Sequence, residues 1–525
     1  MGIPSYFRII VKNYNNILQN TNKYPRVNRL FLDLNCAIHP CCREIVENAK
    51  KENIAPKESD MIGNVLLKIV ELVTITRPKL LYIAVDGVAP LAKINQQRQR
   101  RYKSAKEQQI WNTSAISPGT EFMKKLNISL NRFNHHGIKI IINDSDTSGE
   151  GEHKILDYIN TTDIPKDSSI FPDVIYGLDA DLIMLGLIAK NRNILLLREK
   201  TEYHIEEEQI ETTGDYLYLN IPNIKKGIIS EMNKEYTQDS QKYIDDYVFM
   251  CFMLGNDFLK PIPSLQIRYN GLELLLDSYY KCSSNDKYFR LIDDGEIIKE
   301  NLKLLLNNIT EKEDSIIQNI VEIRNKQRKG IYHRVKGDPE KIQENTPLLN
   351  NPDEMSIRLG EENWRQRYQL NGLFNTINYT LNTLKKDSFE HYKYTMCQQY
   401  YTGLQWCARY YFQGYKSVNN LWYYPYNISP DLQTFLDYDY NNKEIIKEIE
   451  YKKPLEKHEA LLAMMPKSSI DLLPKKFQKF MKNDSPLAYY YPDNFKEYMV
   501  LKRYSWECVP LLPKINVTLL RKIIN

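Results

Sequence analysis

Four short runs rich in Ile, Val and Leu place the main constraint on this chain. They are VNRLFLD (27–33), PKLLYIAVD (78–86), IKIIIND (138–144) and DVIYGLD (173–179), and each ends in an aspartate. Continuous apolar runs of this length suit strands of a mostly parallel sheet buried on both faces. Helical patterns lie between them, as in 60–76 and 152–159. The alternation, from residue 26 to about 190, predicts an α/β domain with a mostly parallel sheet flanked by helices. Such sheets bind ligands at the carboxyl ends of their strands, so acids that close several strands converge on one place. The 525 residues allow two or three domains, or one large one with insertions.

Residues 241–258 read as a helix ending in a Gly-Asn-Asp turn. From 284 to 370 the chain is polar and highly charged, with helices expected at 288–307 and 313–328 and a long loop over 329–362. Aromatic density returns from Trp364. YYTGLQWCARYYFQGY (400–415) reads as an aromatic helix, WYYPYNISP (422–430) follows it, and another helix is expected near 456–464. The expected organisation is an α/β unit over 1–270 that carries the site, a charged helical linker over 271–363, and a largely helical unit over 364–525 that packs against the first and completes its pocket. No internal repeat is visible, and no apolar run reaches transmembrane length. The eight cysteines form no CxxC pair and no signal peptide opens the sequence, which together predict reduced thiols in an intracellular protein. Cys36, His39, Cys41 and Cys42 have zinc-ligand chemistry, but no second cluster has matching spacing, so zinc is set aside. A net charge of +5 excludes a generally polybasic tail and leaves room for a local basic patch.

Seven acids stand out: Asp33, Asp86, Glu150, Glu152, Asp179, Asp181 and Asp257. Singly, each reads as a helix cap or turn former. As a set they would repel and raise one another's pKa, which calls for a compensating cation. Mg²⁺ fits best, as a hard ion that prefers carboxylate oxygen, and Mn²⁺ is the expected substitute. The sequence holds no GxxxxGK[ST] and no GxGxxG after a strand, so no nucleoside triphosphate partner is expected. Phosphodiester hydrolysis with two metals about 4 Å apart is then the leading chemistry. The GEGEHK stretch (149–154) places two glutamates two apart. In a regular helix they would diverge by roughly 200°, but at a glycine-flanked helix start both can reach ions beyond the axis.

LAKINQQRQRRYKSAKE (91–107) follows Asp86-Gly87-Val88-Ala89-Pro90 directly. Lys93, Gln97, Arg100 and Arg101 fall at i, i+4, i+7 and i+8, on one helical face. Few acids interleave before Glu107, so pairing within the helix is poor. A cationic pocket beside a metal cleft suits a terminal phosphate.

FLDLNCAIH, AVDGVAPLAKINQQRQRRYKSAKE, ISPGTEFM, GEGEHKILDYI, YGLDADLIMLGL and LGNDFL, with the opening MGIPSYFRII, resemble the 5′-to-3′ exoribonucleases of the Xrn type. ENWRQRY, GLQWCARYYFQGY, WYYPY and KRYSWECVPLLP are similar to that family's second conserved region. The paired acids and the GND turn more distantly resemble flap-endonuclease (PIN-like) cores. The resemblance implies a Mg²⁺-dependent, processive enzyme that degrades single-stranded RNA with a 5′-monophosphate to mononucleotides. It also implies that all seven acids are metal ligands, that Lys93, Gln97, Arg100 and Arg101 hold the 5′-phosphate, and that His39 and Trp422 sandwich the first bases. Such stacking is sequence-tolerant. Ser148 stands where relatives usually have proline, and CAIH replaces a glycine-containing segment. The match ends where the second conserved region ends, so a near-minimal catalytic core is expected, intracellular and cytoplasmic rather than nuclear, with a viral source compatible with its size. The alternatives are a flap-type nuclease acting on DNA and an RNA-binding pseudonuclease.

Overall fold

The computed structural model describes residues 6–106, 109–190, 193–200, 215–233, 240–286, 288–335, 337–377, 386–438 and 444–524. Residues 1–5 of the MGIPSYFRII motif, and Glu107, lie outside the described residues.

The first half is a seven-stranded sheet. Its strands in chain order are β1 (Leu18–Asn20), β2 (Arg29–Asp33), β3 (Leu80–Ala84), β4 (Lys139–Asn143), β5 (Asp173–Tyr176), β6 (Ile194–Glu199) and β7 (Tyr216–Asn220). In space the order is β1-β7-β6-β5-β2-β3-β4. The pairs β2–β3, β3–β4, β2–β5 and β5–β6 are parallel. The pairs β6–β7 and β1–β7 are antiparallel. The chain thus builds outward from β2 through β3 and β4, then returns to build the other way through β5 and β6. The crevice between β2 and β5 is the switch point, where open α/β sheets take their ligands.

Both faces of the sheet are buried because successive side chains alternate between two cores. Leu30, Leu32, Leu81 and Ile83 enter one core with α2 (Asn35–Glu52), α3 (Glu58–Thr76) and α5 (Glu121–Asn131). Phe31, Tyr82 and Ala84 enter the other with α1 (Tyr6–Asn13), α6 (Gly151–Thr161) and α7 (Asp181–Ile188). This two-sided burial is why the strands read as apolar runs. The strands stop short of the runs, however: β3 ends at Ala84 and β5 at Tyr176, so Asp86 and Asp179 sit on the loops beyond them. A further helix of this half, α4 (Leu91–Ser104), packs against the C-terminal part of the chain through Leu91 and Ile94.

The second half is helical, with two corrections to the sequence reading. Residues 288–307 are not one helix. A small hairpin pairs Ile292–Asp293 with Glu296–Ile297, and a helix follows over Lys299–Thr310. The turn is Asp294-Gly295, both at positive φ (44° and 80°), a conformation that ends a helix and suits a two-residue hairpin loop. Nor is 329–362 a loop. The helix begun at Glu313 continues to Val335, and short helices follow at Pro339–Glu344, Thr346–Leu349 and Pro352–Ile357. Each short helix carries its proline in the first turn, where the missing N–H costs nothing, so residues that read as breakers act as starts. Ile331, Val335 and Leu348 form a small core beneath them. The aromatic helix is longer than its motif, running Lys386–Gln413 through the main core.

Candidate active site

β2 ends at Asp33 and is followed at once by α2, whose first residue is Asn35. Asn35 makes a reciprocal pair with Asp86: its Nδ2 donates to the Asp86 carboxylate at 2.9 Å and its Oδ1 accepts the Asp86 N–H at 3.1 Å. Glu150 is the N-cap residue of α6 and Glu152 lies in its first turn. Asp181 opens α7. Carboxylates at two helix N-termini gain from the helix dipoles, which offsets part of their mutual repulsion. Asp257 belongs to the LGND turn, where Asn256 Oδ1 accepts the N–H groups of Phe258 and Leu259 at 2.9 and 2.8 Å.

Gly151 holds these acids close. Its N–H donates to Asp86 Oδ1 at 2.6 Å. A Cβ built on it would lie 2.8 Å from Asp33 Oδ1 and 3.4 Å from Asp86 Oδ1. Only a residue without a side chain lets the helix start come so near two strand-end carboxylates. Lys154 fastens the same turn from below, with Nζ donating to the backbone oxygens of Val85 and Asp144 at 2.7 and 2.9 Å. Asp144 itself, the fourth strand-end aspartate, takes part through that carbonyl, and its carboxylate accepts from Asn131 and from the Asp146 N–H.

The electrostatics show one crowded cluster. Burial, then Asp86 and Asp179, push Asp33 up to about 8. Burial, then Asp181, push Glu152 well above the carboxylate range. Burial, then Asp257, raise Asp181 to about 6. Burial, then Glu150, raise Asp86. Among the described residues a cation stands inside: Lys93 Nζ lies 2.6 Å from Glu150 Oε2 and 2.9 Å from Asp257 Oδ2. Burial would discharge Lys93, but Asp257 and Glu150 outweigh it and keep the ammonium charged. This donor set fits a hard divalent cation. Ligand atoms of Glu150, Glu152 and His153 all lie within 4.8 Å of one another.

These shifts have a measurable consequence. Without metal, Asp33 and Asp181 hold protons in the folded chain that the unfolded chain releases near pH 3.9. Stability that these groups contribute at about pH 4 is therefore lost as the pH rises through about 6 and 8. A divalent cation binds the ionised forms and reverses the slope. Thermal unfolding should show a Tm that falls between about pH 5 and 8 without metal, and a Tm gain on adding Mg²⁺ that is larger at pH 8. A gain independent of pH would detach these acids from the metal.

Arg100 and Arg101 extend the cationic face of α4 away from the acids. Arg101 donates to Ser117 Oγ and the Ile116 carbonyl, so the ISPGT motif serves to hold this guanidinium. Arg100 is exposed and makes no ion pair within 4 Å among the described residues. His39 is exposed at the rim beside them. Its restricted solvation, then the charges of Arg100 and Arg101, lower it to about 4, so the imidazole is neutral. Gln97 is half-buried on the same face. Lys93 is set apart from these three, with its ammonium spent on two carboxylates. Trp422 departs from the stacking role implied for it. It is 4% exposed, packs on Trp406 at 5.5 Å, and donates Nε1 to Gln399, so it is a core residue in this arrangement. Of the WYYPY segment, Trp422 and Tyr424 are buried, while Tyr423 and Tyr426 stay partly exposed. Cys41 and Cys42 are buried in the apolar core and Cys36 donates to Asp33.

Several residues escaped the sequence reading. Tyr410 OH donates to Glu150 Oε1 at 2.7 Å and Tyr411 OH to Asp181 Oδ1 at 2.9 Å. His153 stacks on Tyr410 with centroids 3.9 Å apart. Gln96 Nε2 donates to Asp257 Oδ1 at 3.2 Å. The YYFQGY motif gave the only signal for the tyrosines, and nothing local tells a packing ring from one whose hydroxyl reaches an acid more than 200 positions away.

A parallel sheet that gathers buried carboxylates at its switch point, beside a cationic helix face, is the architecture of a phosphodiester hydrolase. Residues 1–110 and 106–200 match the family model described as XRN 5′-3′ exonuclease N-terminus, and residues 237–354 and 334–524 match the Xrn1 helical domain. The chain belongs to the XRN 5′-3′ exonuclease family. It is 31% identical to 5′-3′ exoribonuclease 1 of Homo sapiens over 98% of this chain and 33% of that protein. It is 26% identical to the 5′-3′ exoribonuclease 2 homolog of Drosophila melanogaster over 98% of this chain and 70% of that one. The corresponding figures for 5′-3′ exoribonuclease 2 of Gallus gallus are 27%, 99% and 69%. The chain thus spans about 70% of the two exoribonuclease 2 relatives and a third of the human exoribonuclease 1. Among the described residues no helix is long and apolar enough to cross a membrane.

Proposed function

We propose that this chain is a 5′-to-3′ exoribonuclease that removes mononucleotides processively from single-stranded RNA bearing a 5′-monophosphate, with two Mg²⁺ ions held by the seven acids. The observation that carries this reading is the buried carboxylate cluster set directly against the Lys93–Arg101 face of α4. Bound divalent cations would polarise the phosphodiester and supply water of lowered pKa. The protein's own groups do the positioning. Asn35, Gly151, Tyr410 and Tyr411 each orient one acid by a hydrogen bond. Arg100, Arg101 and Gln97 receive the terminal phosphate, and the neutral His39 ring offers a face to the first base. A triphosphate or cap adds bulk and charge that such a cup excludes, and a 5′-hydroxyl forfeits the charge-assisted bonds.

Purified protein with Mg²⁺ should therefore degrade a 5′-monophosphorylated RNA about 10²-fold faster than the same RNA with a 5′-hydroxyl or triphosphate, the worth of one or two charge-assisted hydrogen bonds. Equal rates on all three would remove the cup. Preference for a flap DNA substrate would overturn the RNA reading.

A further inference from the structure

On the flank of α4 away from the phosphate-binding face lies a second cleft of about 970 Å³. Ala92, Asn95, Gln96 and Gln99 line it, at i, i+3, i+4 and i+7, so they form one face of the helix. The opposite wall carries Tyr423, Tyr426 and Tyr489, and lysines stand at 260, 496 and 514. Asp257 borders both this cleft and the acid cluster, with Gln96 as the partition. Gln96 spends its amide N–H on Asp257, while its Oε1 is buried without a partner.

The lining of the cleft carries three lysines against one acid, Asp257. Lys260 also borders a gap of about 30 Å³ whose far wall holds Lys502. Both lysines are half-buried, and neither ammonium has an ion-pair partner among the described residues. Burial, with the charge of Lys502 adding to it, lowers Lys260 to about 8, and burial lowers Lys502 also. Asp257 and Glu507 offset part of this cost from a distance, but with no ion pair formed two neighbouring cations withdrawn from water remain costly, and an anion is what relieves them. Lys514 sits over the Tyr426 ring at 5.4 Å, which places another cation beside an aromatic face. Cations, carboxamides and tyrosine rings together match phosphate, base edge and base face. The volume is in the range that encloses a small ligand.

We propose that this cleft is a second nucleotide site, which takes a phosphate at Lys260, backed by Lys502, and a base against the tyrosine wall. The proposal rests on the exoribonuclease reading, which supplies two sources for that chemistry: the nucleoside monophosphate just released across Asp257, or a nucleotide of the RNA strand.

Equilibrium dialysis of uridine 5′-monophosphate against metal-free protein tests it without catalysis. The wild type should bind two equivalents, one in the cup and one in the cleft. Lys260→Gln/Lys514→Gln should lose one of them, with at least tenfold weaker binding, and Arg100→Ala/Arg101→Ala should lose the other. Lys496→Glu/Lys514→Glu, at two exposed positions, serves should the first pair fail to fold. Unchanged stoichiometry in both lysine variants overturns the cleft, as does a single wild-type equivalent that the arginine variant removes. Glu152→Gln loaded with a 5′-monophosphorylated decamer separates the sources. Retention of one equivalent of uridine 5′-monophosphate assigns the cleft to the free nucleotide, and displacement assigns it to the strand. RNA degradation by the wild type alongside unchanged binding in the lysine variants sinks the cleft alone. The expected binding pattern without RNA degradation sinks the exoribonuclease reading alone.

Discussion

Glu152→Gln should leave the protein folded and able to bind RNA while cleavage falls by at least about 10³-fold, the several kcal/mol that a metal-held site supplies. The substitution keeps shape and volume at a position that is 7% exposed, so it opens no cavity. It puts a neutral amide where burial, then Asp181, already push Glu152 well above the carboxylate range and favour its uncharged form. One uncharged group for another of the same shape means that the metal-free Tm should hold. The loss of activity would then come from the missing ligand and not from unfolding. Single-turnover cleavage and RNA binding, measured in one buffer with Mg²⁺, check this. Cleavage within tenfold of wild type would take Glu152 out of the ligand set.

Gly151→Ala tests the geometry of the same site without touching its charge. The new methyl would stand 2.8 Å from Asp33 Oδ1, with the Ala84 carbonyl and Asp86 Oδ1 each 3.4 Å away. At that distance the Asp33 carboxylate must give way, and it would turn out of the cluster. A displacement near 1 Å at the reacting centre costs about 10²-fold in rate. Gly151 starts α6 without a positive φ, so alanine suits its backbone and the helix gains up to about 1 kcal/mol from propensity. The expected signature is therefore a loss of about 10²-fold in cleavage with a Tm equal to or above wild type. A lower Tm with proportionate loss of activity would point to packing damage instead.

Much of the site was legible because its chemistry rides on local patterns. Asp33 and Glu150–Glu152 are fixed by strand-to-helix grammar: an apolar run, a turn, and a helix start whose N-terminus favours acids. The cationic face of α4 follows from spacing alone. Three things were not legible. The hairpin at Asp294-Gly295 and the proline-started helices of 339–357 lie in polar sequence, where turn chemistry outweighs charge and apolar periodicity is faint. Lys93 shares a helical face with Arg100 and Arg101, yet its position one turn nearer the acids commits it to Glu150 and Asp257. Trp422 and Tyr410 are both aromatic residues of the second region, and only packing separates the one that stacks in the core from the one that touches an acid.

By itself, then, the sequence determined the mostly parallel sheet, the acids that close its apolar runs and the cationic face beside them, since each depends on residues within a few positions of one another. The tertiary structure alone decided which distant groups complete the site. Tyr410 and Tyr411 reach Glu150 and Asp181 across more than 200 residues because the aromatic helix packs into the same core as α6 and α7, and no local periodicity encodes that meeting.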